Sequence, residues 1–363
     1  MLASGAMANN ESIIFNPNGT ITLPIDGSAG LFIPTDGLTG LNRDNNTGYG
    51  NITLFIDPEL CNLSVCDLTL AHFDYIPNLA GNALYTAIFG LYIFANIYLG
   101  FRHRTWGYMA AMFLGLTGEV VGYIGRILLW QNPFDPTGND FLIYLVSLTI
   151  APAFFSAAVY LCLARIVVVY GQHLSFFKPR TYTLIFCGCD LFSLVLQALG
   201  GGITSNASTY AKEQQGIHII LAGLSTQVAS LALFAVLCAE FALRLRRNPT
   251  AWSTEHAALY NSRLFKAFLC GLSLATLCIF VRSVFRVAEL SGGFHGPLAN
   301  NEVSFMILEG AMLVIATSCL TFLHPGVAFQ GFWQDANFSF RTRKGDLEKS
   351  PVSTREESLQ QGD

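Results

Sequence analysis

The chain has 363 residues, of which 52% are hydrophobic and only 12% are charged. An ordinary soluble domain carries about 25% charged residues. The composition therefore excludes an ordinary soluble domain and indicates a membrane protein. The formal net charge of −4 includes no broad basic excess, and we therefore predict no nucleic-acid partner.

Residues 1–76 precede the first long apolar segment and are rich in Asn, Gly, Thr and Pro. The first residues contain neither a basic stretch nor an apolar core of the usual length. We therefore predict no cleavable signal peptide and expect the first spanning helix to act as the targeting signal. Short runs such as GTITLPI and NITLFI are compatible with a few strands or with a lid over the membrane domain. Cys61 and Cys66 flank four residues, and an extracellular setting favours a small disulfide between them over two free thiols.

Seven apolar segments follow, and each is close to the roughly 20 residues that a membrane-spanning helix requires. Because lipid cannot satisfy free backbone groups, we predict an all-α polytopic membrane protein with a closed bundle of seven transmembrane helices in residues 77–326. Residues 327–363 form a tail that we expect to be cytosolic and largely disordered. Predicted helices 1 to 7 occupy residues 78–100, 106–130, 141–167, 182–203, 216–243, 266–288 and 303–323.

The distribution of basic residues predicts the orientation of the bundle. They are concentrated in the connections after predicted helices 1, 3 and 5 and in the tail. The alternate connections and the N-terminal region contain only Arg43 and Lys212. By the positive-inside rule the N-terminus lies outside and the C-terminus lies in the cytosol.

Sequons for N-glycosylation predict the same orientation. Six of them fall on the predicted outside, whereas Asn337 falls on the predicted inside, where it would not be modified. The residues that we expect to be glycosylated are Asn10, Asn18, Asn45, Asn51, Asn62 and Asn206.

Polar and ionisable side chains recur inside the predicted helices. Each ionised group at mid-membrane costs about 2.5–3.5 kcal/mol on insertion scales, so such groups should face the bundle interior and find partners. Arg282, Arg286 and Glu289 share one face of predicted helix 6 at i, i+4 and i+7. The candidate substrate-binding or translocation residues are Glu119, Tyr123, Arg126, Tyr160, Arg165, Asp190, Gln197, Gln227, Arg282, Arg286, Glu289, Glu302 and Glu309.

A rise of about 1.5 Å per residue places these groups at different depths. We expect an outer layer that contains three arginines, three glutamates and Gln197, and a layer nearer the cytosol that contains Asp190 and Arg165. A polar path or headgroup pocket explains this layering. The alternative is that arginine–carboxylate pairs only lock the helices together, with glycines such as Gly118 and Gly122 allowing close approach.

The ordered set of motifs resembles a known family. Its motifs lie in or directly beside predicted helices 2 to 7 and are, in chain order, EVVGYIGR, APAFFSAAVYLCLAR, DLFSLVLQALGGG, GLSTQ, RSVFRVAE followed by NNE, and HPG. Over about residues 75–330 the chain is similar to the RTA-like lipid-translocating exporters of fungi, which include aminocholesterol-resistance and sphingoid long-chain-base resistance proteins. The run EVSFMILEG departs from the family pattern, with Phe305 and Met306 in the aromatic region and Glu309 in the place of the acid.

The resemblance implies a multi-pass plasma-membrane protein that moves amphiphilic lipids, or controls their movement, and gives resistance to toxic lipids. The endoplasmic reticulum and the vacuole membrane are alternative locations. The ammonium of a long-chain base would pair with Glu119, Asp190 or Glu309. The phosphate of a phospholipid would instead pair with the guanidinium groups of the arginines. The sequence contains no phosphate-binding loop, so we predict a facilitator, coupled exporter or regulator without its own ATPase, and no cofactor.

Two other classes of function remain open. Seven helices with an outside N-terminus also suit a lipid sensor or receptor, although predicted helix 3 ends in LARIVVVY rather than an Asp-Arg-Tyr triplet. A metal-dependent hydrolase would need clustered histidines and acids, for which His72, His218 and His295 are the candidates. We favour lipid movement, in which the protein is not an enzyme and its partners are membrane lipids.

Overall fold

The computed structural model describes residues 14–15, 20–25, 28–34, 71, 73, 75–134, 139–171, 175, 179–205, 210–248, 257–292, 296 and 298–333. Seven long helices dominate this part of the chain, and all of them are long and apolar enough to cross a membrane. Six are α1 (Leu79–His103), α2 (Trp106–Gln131), α3 (Asn139–Tyr170), α4 (Pro179–Ser205), α5 (Tyr210–Arg247) and α6 (Arg263–Ser291). The seventh, α7, comprises Glu302–Phe305, the π-helical segment Met306–Ala311 and Met312–Phe322.

The predicted all-α bundle of seven spanning helices is therefore confirmed. Each predicted span agrees with one observed helix to within six residues at either end. Single short helices, Ala257–Asn261 and Pro325–Ala328, precede α6 and follow α7. We call the end of the bundle where α1 begins the amino face, and the end where α7 finishes the carboxyl face.

A small antiparallel sheet lies in the N-terminal region. Its strands are β1 (Ile14–Phe15), β2 (Thr20–Ile25) and β3 (Ser28–Pro34), in the order β1-β2-β3. The register pairs Thr22 with both Ile14 and Phe32. Several predicted features lie outside the described residues: Cys61, Cys66, His72, His295, the tail beyond residue 333 and all the sequon asparagines, Asn206 included.

Glycines allow neighbouring helices to approach closely. A Cβ on Gly122 would lie 2.4 Å from Leu148 Cδ2, and a Cβ on Gly125 would lie 2.8 Å from the Tyr144 nitrogen. The same holds between α4 and α5, where a Cβ on Gly200 would lie 2.7 Å from the carbonyl oxygen of Gly216. Membrane helices gain little from the hydrophobic effect and associate through such packing, so these contacts fix the depth of α2 against α3 and of α4 against α5.

Candidate functional site

An ion pair joins the two helices that carry the predicted charges. Arg282 on α6 binds Glu309 on α7, and both side chains are almost completely shielded from solvent. The same guanidinium donates a hydrogen bond to the carbonyl oxygen of Leu148 on α3. One arginine therefore connects α3, α6 and α7 in the interior of the bundle.

Arg286 extends this ion pair by one helical turn. Its Nη1 donates to Glu289 Oε2 at 2.6 Å, and its Nε lies 3.5 Å from Glu309 Oε1. Its Nη2 donates to Thr149 Oγ1 of α3 at 3.3 Å. Arg282, Arg286, Glu289 and Glu309, which we call the charged cluster, hold two positive and two negative charges, so the cluster is neutral when all four residues are ionised.

A π-helical segment carries Glu309 to this position. Residues Met306–Ala311 form one π turn inside α7, and such turns frequently mark functional sites. The Tyr85 hydroxyl donates to the Met306 carbonyl oxygen at 2.7 Å. A Cβ on Gly310 would lie 2.3 Å from Tyr85 Cε2, so the glycine makes room for the ring. Tyr85 thus supports the irregular turn from α1.

A cavity of about 30 Å³ opens beside the charged cluster towards the amino face. Its volume holds about two water molecules. Arg286 and Glu289 form its charged side, Thr149 and Tyr144 line it from α3, and apolar side chains form the rest. Small-molecule sites typically combine an apolar wall with a few convergent polar groups. The other lining residues are Phe73, Phe141, Leu145, Ile220, Leu224, Leu290 and Ala299.

Glu119 on α2 lies beside the charged cluster. It is fully buried, and neither carboxyl oxygen has a hydrogen-bond partner among the described residues. Its carboxyl interacts electrostatically with Arg282, Arg286 and Glu309. The hydroxyl of Tyr123, one turn further along α2, also lacks a hydrogen-bond partner in the described chain. Glu119 therefore shares one polar region with the charged cluster of α6 and α7.

Arg126 occupies a different environment. Its guanidinium carbon lies 3.9 Å from the centre of the Phe305 ring and 5.0 Å from that of Tyr144. Its Nη2 donates to the Tyr75 hydroxyl at 2.9 Å, and burial raises the pKa of this phenol, which lies before α1. No ion pair joins Arg126 to another described residue. The structure therefore places this predicted site residue in an aromatic box held by cation–π contacts.

A second polar group lies between α3, α4 and α5. The Tyr160 hydroxyl donates to Asp190 Oδ2 at 3.0 Å. Gln197 Nε2 donates to Gln227 Oε1 at 3.3 Å. All four side chains are buried, so the structure brings these predicted residues together in two hydrogen-bonded pairs.

Two predicted residues serve the ends of the bundle. Glu302 Oε1 accepts a hydrogen bond of 2.5 Å from the backbone N–H of Asn78, directly before α1. At the carboxyl face Arg165 packs on the ring of Trp333, 3.8 Å from its centre, and donates to its carbonyl oxygen. These contacts join α7 to α1, and α3 to the chain after α7.

The structure gives no positive support to a metal-dependent hydrolase. In the described part of the chain no three His, Cys, Asp or Glu side chains group as metal ligands would. Of the three candidate histidines only His218 is described, and it is exposed on α5.

Seven apolar helices that enclose a buried, balanced group of charges define a polytopic membrane protein with an internal polar site. The family model described as RTA1 like protein matches residues 112–331. The chain belongs to this family, which confirms the resemblance drawn from the motifs.

Three curated relatives come from Saccharomyces cerevisiae. The sphingoid long-chain base transporter RSB1 of strain Lalvin EC1118 is 34% identical over 284 residues, which cover 70% of this chain and 74% of the relative. Protoporphyrin uptake protein 1 of strain ATCC 204508 / S288c is 31% identical over 204 residues, 56% of this chain and 64% of the relative. Protein RTA1 of strain ATCC 204508 / S288c is 24% identical over 261 residues, which cover 66% of this chain and 80% of the relative. No solved structure matches the chain.

Proposed function

We propose that this protein moves amphiphilic lipids across the membrane, with sphingoid long-chain bases as the main cargo, and does not change them chemically. The relative named as a sphingoid long-chain base transporter supports the choice of cargo. The observation that carries the proposal is the cavity at the amino face, because it has the Arg286–Glu289 pair on one side and apolar side chains on the other. This combination suits a molecule with a polar head and a hydrocarbon chain. Aminosterols and phospholipids are further candidates of the same amphiphilic kind.

The headgroup would bind by exchange of partners within the charged cluster. An ammonium that enters the cavity replaces Arg286 at Glu289, while Arg286 keeps its contact with Glu309. Hydroxyl groups of the headgroup are then within reach of polar groups such as Thr149. Since carboxylates bound by charged donors make the stronger hydrogen bonds of a protein interior, this exchange offsets part of the cost of removing the headgroup from water.

A cavity of about 30 Å³ is too small for a lipid headgroup, so the bundle must open. The seam between α5 and α6 beside the cavity is a small apolar cluster separate from the main core, formed by Ile217, Ile220, Leu224, Val287 and Leu290. Regions with few apolar contacts open at low free energy. We place the lipid entrance at this seam, where the hydrocarbon chain can stay in the bilayer while the headgroup enters.

The orientation follows from charge. The connections and helix ends at the carboxyl face carry the basic residues, among them Arg244, Arg246 and Arg247 at the end of α5. We propose that this face is cytosolic and that the amino face, with a glycosylated N-terminal region and a Cys61–Cys66 disulfide, is extracellular. A plasma-membrane location fits lipid export. The lipid gradient or a coupled ion supplies the driving force, since the sequence contains no phosphate-binding loop.

Arg286→Ala tests whether the charged cluster serves lipid movement or only locks helices. We expect cells that produce this variant to lose resistance to a toxic long-chain base while the protein reaches the cell surface in normal amounts. Glu240→Gln is the matched control because Glu240 pairs with Arg244 at the exposed end of α5. If the variant lost resistance and also failed to reach the cell surface, the result would favour helix locking. If the variant kept resistance, Arg286 would not belong to the site.

A further inference from the structure

We propose that Glu119 carries a proton in the lipid-free protein and gives it up when a cationic headgroup binds, so that the protein exchanges protons for long-chain bases. This inference rests on the proposed function, because it assigns the driving force of that movement. It concerns a carboxyl group that lies beside the charged cluster but forms none of its ion pairs.

The first argument is a count of charges. Arg282 and Arg286 are already engaged by Glu309 and Glu289, so the charged cluster is neutral without Glu119. An ionised Glu119 would add one negative charge next to a cluster that is already balanced. Buried carboxyls that lack a partner take up a proton instead, because desolvation of the lone charge is costly.

The second argument is the absence of donors to Glu119. Its side chain has no solvent exposure, and no described group donates a hydrogen bond to either of its oxygens. An ionised buried carboxylate normally accepts several hydrogen bonds. The carboxyl therefore has the environment of a neutral acid, although it lies close enough to Arg282 and Glu309 to interact with their charges.

The groups that face Glu119 come from four helices. On α3 the neighbouring residues at this depth are Ala151, opposite Gly118, and Leu148, opposite Gly122, and neither is titratable. On α1, Tyr85 reaches the region through its contact with Tyr123, 5.2 Å between ring centres. The titratable and charged groups around Glu119 are Tyr123 and Arg126 on its own helix, Tyr85 on α1, Arg282 and Arg286 on α6, and Glu309 on α7.

Arg126 does not take the place of the missing cation. It lies seven residues further along α2, which is about 10 Å. The rings of Phe305 and Tyr144 enclose its guanidinium, and it donates to Tyr75. A headgroup ammonium that replaces Arg286 at Glu289 adds one positive charge to the charged cluster. Arg286 is close enough to Glu119 for their charges to interact, so an ionised Glu119 compensates this added charge.

The exchange is balanced in protons and charge. Glu119 releases one proton to water on the side from which the lipid enters, and the resulting carboxylate balances the charge of the ammonium at Glu289, which keeps all its own protons. After the lipid leaves on the other side of the membrane, the carboxyl takes up a proton from that side. One positive charge moves in each direction, so the cycle is electroneutral and responds to a pH gradient but not to the membrane potential.

The test uses purified full-length protein in phospholipid vesicles with a radiolabelled hexadecyltrimethylammonium probe. This probe is a permanent cation, so a pH gradient cannot trap it by simple protonation. For one-to-one exchange a gradient of one pH unit should concentrate the probe about tenfold on the acidic side, because one unit corresponds to a factor of ten in the proton ratio. Glu119→Gln should abolish this accumulation, and Glu240→Gln should leave it unchanged.

A second measurement, proton release on binding of the probe, uses wild-type protein and therefore does not depend on whether a variant folds. Wild-type protein in detergent should release about one proton per bound probe molecule into a weakly buffered solution. Probe movement without gradient-driven accumulation and without proton release would overturn the exchange and leave lipid movement intact. Proton release without movement would support proton-coupled binding but refute transport of the probe. Absence of both binding and movement of the probe would overturn the exchange, and lipid movement itself is then tested with a long-chain base.

Discussion

The ion pair between Arg282 and Glu309 is the perturbation that separates stability from function most clearly. Glu309→Gln keeps the shape of the side chain but removes a charge shared by two buried arginines. Removing one partner of a buried pair typically costs about 3–5 kcal/mol, because the other charge stays in the interior. Arg282 would keep only neutral acceptors, the Leu148 carbonyl oxygen and the amide oxygen of the new glutamine, whereas Arg286 would keep the ionised Glu289.

For a bundle of this size a loss of 1 kcal/mol lowers the melting temperature by about 2–4 °C. Glu309→Gln should therefore lower the melting temperature by about 10 °C, as measured by the loss of the monodisperse peak in gel filtration after heating in detergent. The double variant Arg282→Gln/Glu309→Gln should regain most of this loss, because the remaining Arg286–Glu289 pair is complete.

Glu240→Gln is again the control. The Glu240–Arg244 pair is about two-fifths exposed on both sides, and such pairs contribute about 0–1 kcal/mol. Two results would contradict the assignment of ion pairs in the charged cluster. One is that Glu309→Gln destabilises the protein no more than Glu240→Gln, and the other is that the double variant is less stable than the single one.

Three further predictions concern packing and topology. Gly310→Ala should destabilise the bundle by about 1–3 kcal/mol in the same heating assay, since its Cβ would lie 2.3 Å from the Tyr85 ring; Gly188→Ala, with no atom within 4 Å of the new Cβ, should not, and equal effects would contradict the tight turn. Trp333→Ala should cost about 3–5 kcal/mol, because the ring is buried and supports Arg165; an unchanged melting temperature would mean that this contact contributes nothing. Treatment with an N-glycosidase should increase the electrophoretic mobility of the wild-type protein, and replacement of every predicted outside sequon asparagine by Gln should remove this shift. A shift that persisted in that variant would contradict the proposed orientation.

The seven spans were predictable because each must present a long apolar surface to lipid. Hydropathy locates the part of a helix that crosses the hydrocarbon, but not the turns beyond it. For this reason predicted helix 5, at 216–243, is shorter than α5, Tyr210–Arg247, whose first and last turns are polar. The π segment Met306–Ala311 has no sequence signal of its own, because it depends on Tyr85, which is 221 residues away from Met306 in the chain.

The partners of the predicted charges were only partly predictable. Helical spacing placed Arg282, Arg286 and Glu289 on one face, and the cost of burying charge required that they be paired. Helical spacing did not show that aromatic rings would enclose Arg126, because two of these rings, Phe73 and Tyr75, lie before α1. The amino-acid sequence also gave no signal for the cavity-lining residues of α3.

Thr149 illustrates why those residues were missed. Its hydroxyl accepts from Arg286, yet a single threonine in an apolar helix ordinarily bonds to its own backbone, as Thr149 also does with Leu145. Trp333 was missed for a similar reason, since nothing in the local sequence links it to Arg165, 168 residues earlier. Long-range pairs of this kind follow from the packing of the helices, which periodicity along one helix does not specify.

Movement of a long-chain base by the purified protein is the central claim, and one measurement tests it directly. Vesicles that contain wild-type protein and a fluorescent long-chain base in the inner leaflet are exposed to a membrane-impermeant quencher. We expect fluorescence to fall faster than in protein-free vesicles, and Arg286→Ala to abolish the difference. Equal rates with and without well-folded wild-type protein would contradict lipid movement and favour a sensor or regulator of lipid asymmetry.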